Sequence, residues 1–347
     1  MQSVRTNIYS SAGGSKRPRL DTSAGADHDG AAPKRAKPEP GRSASPHAHK
    51  NDDTFWYHDG NVIIRVHGTV FKLHRSRLSR HCGYFKNLFE SGVGVNEYMQ
   101  RCPVYNAPEG LTPKGFKDLL MAIESPLENV ESSPSQSHTV SLLAAAHLLS
   151  CDAVLRLAKK RLCELWDSRH VPTKRGPGDI RSYKTTISTI HLAREYNIPG
   201  VLKRAFYELL SSEEFWDVCG ADEDAIDLPK DDIVRLYRAR DKLGRLWREF
   251  TLAVPDTDTT TSMARRLSGD WCCYNYSERG HSWRSYIVEK GDLESGALDP
   301  LRYNVVSLRR PELRNEKWCE GCLGNKESAW NAKRAEWWGM LDDLFRL

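Results

Sequence analysis

The sequence lacks the long apolar runs of a membrane protein and the apolar leader of a secreted one. No uninterrupted apolar segment approaches the length of a membrane-spanning helix, so no membrane partner is predicted. The first residues contain no apolar stretch of the kind found in signal peptides. Because no secretory route is indicated, the nine cysteines, an odd number, are expected as free thiols or metal ligands rather than as disulfides.

Most of the chain also lacks an excess of either charge. Residues 1–50 hold nine of the 51 Lys and Arg residues and four of the 46 Asp and Glu residues, which accounts for the whole formal charge of +5. The remaining residues are therefore balanced. This balance argues against broad nucleic-acid binding by the folded domains, which would need a basic surface.

Residues 1–50 are poor in aromatic residues and rich in Ser, Ala, Gly, Pro and basic residues, so they are predicted to be a disordered basic tail. Two basic clusters lie within the tail. They consist of Lys16, Arg17 and Arg19, and of Lys34, Arg35 and Lys37. Such clusters suit the acidic grooves of a nuclear import receptor. The alternative is a solvated tail whose basic residues form no import signal. The expected location is therefore the nucleus, the cytoplasm or both.

Alternating and helical patterns predict a first folded domain at residues 53–167. Residues 62–66 alternate as a strand does, and a second apolar run after a glycine predicts a β-hairpin. The glycine-containing segment 90–97 is interpreted as a mobile connection. The other elements predicted for this domain are helices at 74–80, 82–90, 112–123, 139–150 and 153–166, with a strand at 102–107.

The second half of the chain is predicted to be mostly helical. A helical region is expected at 180–254, where Ser211 and Glu214 have capping-box spacing. A segment rich in Cys and Trp follows at 263–347. It ends in a helix whose Trp330 and Trp337 recur at helical spacing, and such a stripe normally docks onto its own domain. The predicted fold class is α+β.

A longer motif covers the start of the first domain. The pattern V-x-G-x-x-F-x-x-H-R-x-x-L is filled by Val66, Gly68, Phe71, His74, Arg75 and Leu78. With this motif the segment resembles the BTB/POZ domain, although Cys82 stands where that family most often has Ser. The residues just before this motif match the variant of the domain that is abundant in mushroom-forming fungi. They are Asp53, Phe55, Trp56, Asp59, Gly60, Asn61 and Val62. A weaker likeness continues to the end of the chain.

The resemblance implies a small β-sheet with a helical cluster and a non-enzymatic role in protein–protein interaction. It implies protein partners, homodimers in many members, and in some members a cullin scaffold for which the chain would be a substrate adaptor. No small-molecule substrate is implied. The alternative is a nuclear regulator that acts with chromatin or DNA through the basic tail. The apolar residues predicted to form the interaction surface are Phe55, Trp56, Leu78, Tyr84, Leu88 and Phe89.

His74 lies between a predicted strand and a predicted helix, where a catalytic base is one interpretation. No Ser or Cys nucleophile with an orienting acid is recognisable nearby in the sequence, and a base assignment depends on that geometry. The sequence therefore favours a structural His74 whose ring forms a hydrogen bond with the backbone.

The C-terminal cysteines allow a structural zinc site. Cys319 and Cys322 have zinc-knuckle spacing, and Cys272 or Cys273 together with His281 would complete a Cys3His set. A zinc ion with four protein ligands would stabilise the fold of the C-terminal segment. It would have no open position at which to activate water. The alternative is a group of reduced cysteines in an aromatic core. No other cofactor is expected.

Overall fold

The computed structural model describes residues 49–126, 135–173, 181–222, 225–255, 276–303, 318 and 320–347. Its first domain contains one mixed sheet. The strands are β1 (Lys50–Trp56), β2 (Val62–Val66), β3 (Thr69–Leu73), β4 (Val95–Met99) and β5 (Cys102–Asn106). They are arranged in the order β1-β3-β2-β5-β4, so β1 and β4 are the two edges.

The predicted hairpin is confirmed by the antiparallel pairing of β2 with β3. β1 pairs with β3 and β2 pairs with β5 in parallel, and β4 pairs with β5 antiparallel. The interpretation of residues 90–97 as a mobile connection is wrong for the part that forms β4. The backbone hydrogen bonds of β4 go to β5, and the two glycines before it, Gly92 and Gly94, supply positive φ angles of 64° and 96° at the turn.

Helices pack on one face of the sheet. They are α1 (Arg75–His81), α2 (Gly83–Ser91), α3 (Pro113–Glu124), α4 (Gln136–Leu148) and α5 (Asp152–Leu165). Phe71 of β3 meets Phe116 of α3 edge to face at 4.9 Å between ring centroids, which is a favourable aromatic geometry. The opposite face of the sheet carries a smaller buried cluster that includes Ile63 and Val104. The sheet is therefore apolar on both faces, and Trp56 and Met99 pack against the residues of this second face.

The second half of the chain is helical where it is described. Its helices are α6 (Tyr183–Glu195), α7 (Pro199–Leu210), α8 (Glu213–Ala221), α9 (Lys230–Leu252), α10 (Tyr276–Glu289), α11 (Asp292–Leu298) and α12 (Glu320–Phe345). The predicted cap of α8 is wrong by one residue. The Ser212 hydroxyl accepts the N-terminal hydrogen bond of this helix, from the Phe215 amide at 3.2 Å, whereas Ser211 turns back to the Tyr207 carbonyl.

The C-terminal helix α12 packs into the core of its own chain, as its pattern predicts. Trp330 and Trp337 are buried, and the Trp330 ring lies 5.2 Å from that of Trp247 in α9. The core that contains these residues also contains the buried residues of α1 to α5. The α+β class is thus confirmed, with a mixed sheet followed by helices. None of the helices in the described ranges has the length and apolar content needed to cross a membrane.

Candidate protein-interaction surface

Three of the six residues predicted to form the interaction surface are interior. Phe55, Leu78 and Phe89 are only 2–3% exposed and belong to the main core. Their predicted place on the surface is wrong, because the sheet and the helices of the same chain already cover them. Their apolar character is explained by folding alone.

The other three predicted residues are half-buried. Tyr84 and Leu88 of α2 pack against the main core with part of each side chain outside. Burial raises the pKa of the Tyr84 phenol by desolvation. Trp56 of β1 packs against the smaller cluster on the opposite face of the sheet. Contact of these three residues with a partner stays a prediction.

An exposed apolar surface was missed at the β4 edge of the sheet. Val93 is 71% exposed, Tyr98 is 73% exposed and Val95 is 36% exposed; these three residues are called the β4 edge surface. A Cβ on Gly94 would lie 3.4 Å from the Leu88 side chain, so the surface adjoins α2. The signal available in the sequence was weak, because only two valines, Val93 and Val95, alternate there and Val93 lies before β4.

An ion pair holds β4 in place. Arg65 of β2 pairs with Glu97 of β4 across the intervening strand β5. The Arg65 side chain is 17% exposed and that of Glu97 is 46% exposed. An outer strand of a sheet leaves its outward backbone groups available to a partner strand.

His74 has a structural environment. Its ring stacks on Tyr57 at 5.3 Å between centroids, and its Nε2 atom lies 3.4 Å from an Asp59 carboxylate oxygen. The ring thus contacts side chains rather than the backbone group that the sequence suggested. Asn61, the residue before β2, caps the start of α1. Its side-chain oxygen accepts a hydrogen bond from the Arg75 amide at 2.8 Å.

Cys82 and Cys151 form a disulfide, which corrects the expectation of free thiols for this pair. Their Cα atoms are 4.5 Å apart, within the range that a disulfide spans. The bond joins the start of α2 to the start of α5, and both side chains are fully buried. In the described ranges, Cys102 and Cys163 are free cysteines.

A buried polar network joins α7 to the segment after α11. The Tyr207 hydroxyl donates to Asp299 at 2.5 Å and accepts from the Leu301 amide at 3.1 Å. Burial raises the pKa of the Tyr207 phenol well above its ordinary value. Arg302 pairs with Glu208 and Asp299. These groups pair with one another, apart from the Arg302 Nε atom, which is buried without a hydrogen-bond partner. The paired groups stabilise the contact between α7 and the segment after α11.

The predicted zinc ligands are described only in part. Cys272, Cys273 and Cys319 lie outside the described residues. His281 is exposed on α10, and Cys322 is buried beside Trp283 and Trp318. Within the described ranges no three His, Cys, Asp or Glu side chains come together as metal ligands. Zinc therefore stays a prediction, and a metal analysis of the purified chain would decide between the zinc site and reduced cysteines.

The two basic clusters of the N-terminal segment also lie outside the described residues. Their role as an import signal stays a prediction.

Comparison with known proteins adds one assignment. The family model of the BTB/POZ domain matches residues 57–165, the region that contains β2 to β5 and α1 to α5. This is less than a third of the 347 residues. A search of curated proteins found no significant match. A BTB/POZ domain is therefore present within the chain, and domains of this kind are generally protein-interaction modules rather than enzymes.

Proposed function

We propose that the BTB/POZ domain at residues 57–165 dimerises and recruits protein partners, and that the chain serves as a substrate adaptor of a cullin-type ubiquitin ligase. In this proposal the chain performs no bond-making chemistry. The BTB/POZ domain contacts a second copy and the cullin, and the helices from residue 180 onward hold the target.

The β4 edge surface is the observation that carries this proposal. Val93, Val95 and Tyr98 are exposed within six residues at the edge of the sheet. Adjoining apolar side chains that face water on a folded domain favour an interaction site. The half-buried Tyr84 and Leu88 on the neighbouring helix α2 extend the apolar area.

The helices after the BTB/POZ domain support the adaptor role. Residues 48–347 form one compact unit, and the buried side chains of α6, α7 and α9 continue the core of the BTB/POZ domain. A target held by these helices would therefore be held at a fixed position relative to the domain, as an adaptor requires.

Light scattering coupled to size-exclusion chromatography tests the dimer. At micromolar concentration we expect a mass near twice 39.4 kDa. The double variant Val93→Asp/Tyr98→Asp should shift the chain toward the monomer, because two carboxylates would be buried without partners. Val288→Asp is the matched control, since Val288 is 60% exposed on α10. A wild-type chain that is monomeric at every concentration would contradict the dimer.

A pull-down with the cullin of the same organism tests the adaptor role. Wild type and Val288→Asp should retain the cullin equally, and Val93→Asp/Tyr98→Asp should retain less. Failure of the wild type to retain any cullin would refute the adaptor role and would leave dimerisation to be judged by its own assay.

A nuclear regulator is the second candidate, and the two basic clusters of the N-terminal segment support it. Replacement of Lys16, Arg17, Lys34 and Arg35 by alanine should reduce nuclear accumulation of a fluorescent fusion of the chain. An unchanged distribution would remove the support for this candidate.

A further inference from the structure

A cavity of about 300 Å³ lies where the end of the BTB/POZ domain meets the helices that follow it. Its walls come from the end of α5 and the residues just after it, from Arg181 near the start of α6, from α7, and from Arg302 after α11. It is called the α5–α7 cavity. Its volume is at the lower end of the range for pockets that bind small molecules, about 300–1,000 Å³. The cavity therefore has room for a small molecule or an inorganic ion.

Arg204 of α7 lines this cavity with two unused hydrogen-bond donors. Its Nε atom donates to the Glu208 carboxylate at 2.8 Å, one turn further along the same helix, and its backbone amide donates to the Ser168 hydroxyl at 3.1 Å. Within the described residues, its terminal Nη1 and Nη2 atoms have no hydrogen-bond partner. The side chain is 21% exposed, so Glu208 orients it and a ligand can still reach it. A planar guanidinium recognises carboxylate and phosphate oxygens by paired hydrogen bonds.

Arg302 supplies a further donor that the chain does not use. Its Nε atom is buried without a hydrogen-bond partner, although its terminal nitrogens donate to Glu208, Asp299 and Ser211. The side chain is 4% exposed and lines the same cavity. The acceptors of the protein therefore do not exhaust the donors of this guanidinium.

Arg181 completes the basic wall of the cavity. Its guanidinium stacks on the Trp166 ring at 4.0 Å from the ring centroid, and its Nη2 atom donates to the Leu165 carbonyl at 2.6 Å. Stacking on an aromatic ring leaves the charge of an arginine in place and restricts its orientation. Three guanidinium groups from three parts of the chain are thus held beside one cavity before any ligand binds, as a preformed site requires.

Acidic side chains also line the cavity, and each of them is paired. They are Glu164, Asp167 and Glu208. Each has basic partners at most 3.8 Å away, which are respectively Lys160, Arg169 with His170, and Arg204 with Arg302. The carboxylates therefore orient and balance neighbouring cations, and they do not form a separate cation site.

The balance of charge around the cavity is positive. The lining residues and their direct ion-pair partners comprise five Lys or Arg side chains and four Asp or Glu side chains, of which the fourth is Asp299 beside Arg302. Arg334 adds another cation, since it donates to the Pro172 carbonyl next to the lining residues. The sequence of residues 174–180 contains two basic residues and one acidic residue, so it does not reverse the balance. An anion is therefore a better occupant than a cation.

We propose that the α5–α7 cavity binds a small anion that carries a carboxylate or phosphate group, and that Arg204 is its principal contact. This site is separate from the β4 edge surface, so the inference goes beyond the proposed function and stands whether or not the chain dimerises or binds a cullin. A bound anion would join α5 to α7 and would stabilise the contact between the BTB/POZ domain and the helices that follow it.

Thermal unfolding of the full chain with two anions tests the inference. Inorganic phosphate and succinate are each titrated against sodium chloride of equal ionic strength, and isothermal titration calorimetry supplies the dissociation constant. A ligand that binds only the folded chain raises the melting temperature, so at least one of the two anions should raise it saturably. Stabilisation by phosphate alone assigns the site to phosphate groups, and stabilisation by succinate alone assigns it to carboxylates.

Variants of Arg204 locate the binding. Arg204→Ala removes both unused donors and should weaken binding by about tenfold or more, because hydrogen bonds to charged groups are the strong ones. Arg204→Lys keeps the charge without the planar pair of donors and should give a smaller loss. The matched control is Arg238→Ala, at an exposed arginine on α9, which should bind as the wild type does. Circular dichroism verifies that each variant is folded.

Hydrogen exchange of the wild type gives a measurement that needs no variant. The bound anion should slow exchange in peptides that cover residues 164–173 and 204–208 and leave residues 276–289 of α10 unchanged. The inference would be overturned if neither anion stabilised the chain saturably, if Arg204→Ala and Arg204→Lys bound with unchanged affinity, or if the protection lay only in other peptides. Should Arg204→Ala fail to fold, Arg204→Lys and the exchange of the wild type decide.

Discussion

The Cys82–Cys151 disulfide provides the sharpest test of this structure. It closes a loop of 69 residues across the BTB/POZ domain. Two backbone hydrogen bonds already hold the same junction, from Gly83 to the Ser150 carbonyl at 3.0 Å and from Tyr84 to the Leu149 carbonyl at 3.2 Å. We therefore expect the reduced chain to keep its fold and to lose stability.

The expected loss follows from the length of the loop. In the chain-entropy description, a cross-link across 69 residues removes conformational entropy from the unfolded chain. The loss raises the free energy of the unfolded chain by about 4 kcal/mol. Native disulfides typically contribute about 2–4 kcal/mol. The cooperative unit spans residues 48–347, and for about 300 residues an unfolding entropy of about 2.1 cal/mol/K per residue makes each kcal/mol worth about 1.6 °C of melting temperature. Reduction should therefore lower the melting temperature by roughly 3–6 °C.

The assay compares thermal and urea unfolding of the chain with and without reductant. The double variant Cys82→Ala/Cys151→Ala is the control, because reductant should leave its melting temperature and its unfolding free energy unchanged. Peptide mapping of the oxidised chain should recover the two cysteines in one cross-linked fragment. Equal stability of the oxidised and reduced wild type, or two unlinked fragments, would refute the reasoning.

Two further predictions concern buried polar groups. Burial lowers the pKa of Lys326 from 10.5 to about 8, so between these pH values the unfolded chain holds a proton that the folded chain has released. Urea titrations measure the unfolding free energy of the wild type and of Lys326→Met. The difference, wild type minus variant, should rise by about 2–3 kcal/mol from pH 8 to pH 10.5. A fall would contradict the lowered pKa of Lys326. Tyr207→Phe removes a hydroxyl bonded to Asp299 and to the Leu301 amide, and should cost about 1–3 kcal/mol. Tyr237→Phe, at an exposed phenol, should change stability by less than about 0.5 kcal/mol in the same assay.

Local patterns predicted much of the architecture. The hairpin of β2 and β3 followed from alternating apolar residues on either side of a glycine, and α12 followed from Trp330 and Trp337 at helical spacing. These predictions hold because alternation and helical periodicity state which side of an element faces the core.

The sequence-based predictions were wrong where contact with a distant part of the same chain decides the structure. β4 exists because β5 offers it backbone hydrogen bonds, and a short strand beside two glycines has no strong pattern of its own. Phe55, Leu78 and Phe89 looked like an interaction surface because a sequence does not state how much area the rest of the chain covers. The disulfide was missed because Cys82 and Cys151 are 69 residues apart, and their proximity depends on the packing of α2 against the start of α5.

The sequence by itself determined the chemical character of the protein: a basic N-terminal segment, a neutral remainder and a motif that places a BTB/POZ-like fold after residue 53. These are properties of composition and of nearest neighbours along the chain. The tertiary structure alone decided which apolar side chains face water, namely those of the β4 edge surface and those of Val234 and Tyr237 on α9. The physical reason is that exposure depends on contacts between residues distant in sequence, and no local pattern encodes these contacts.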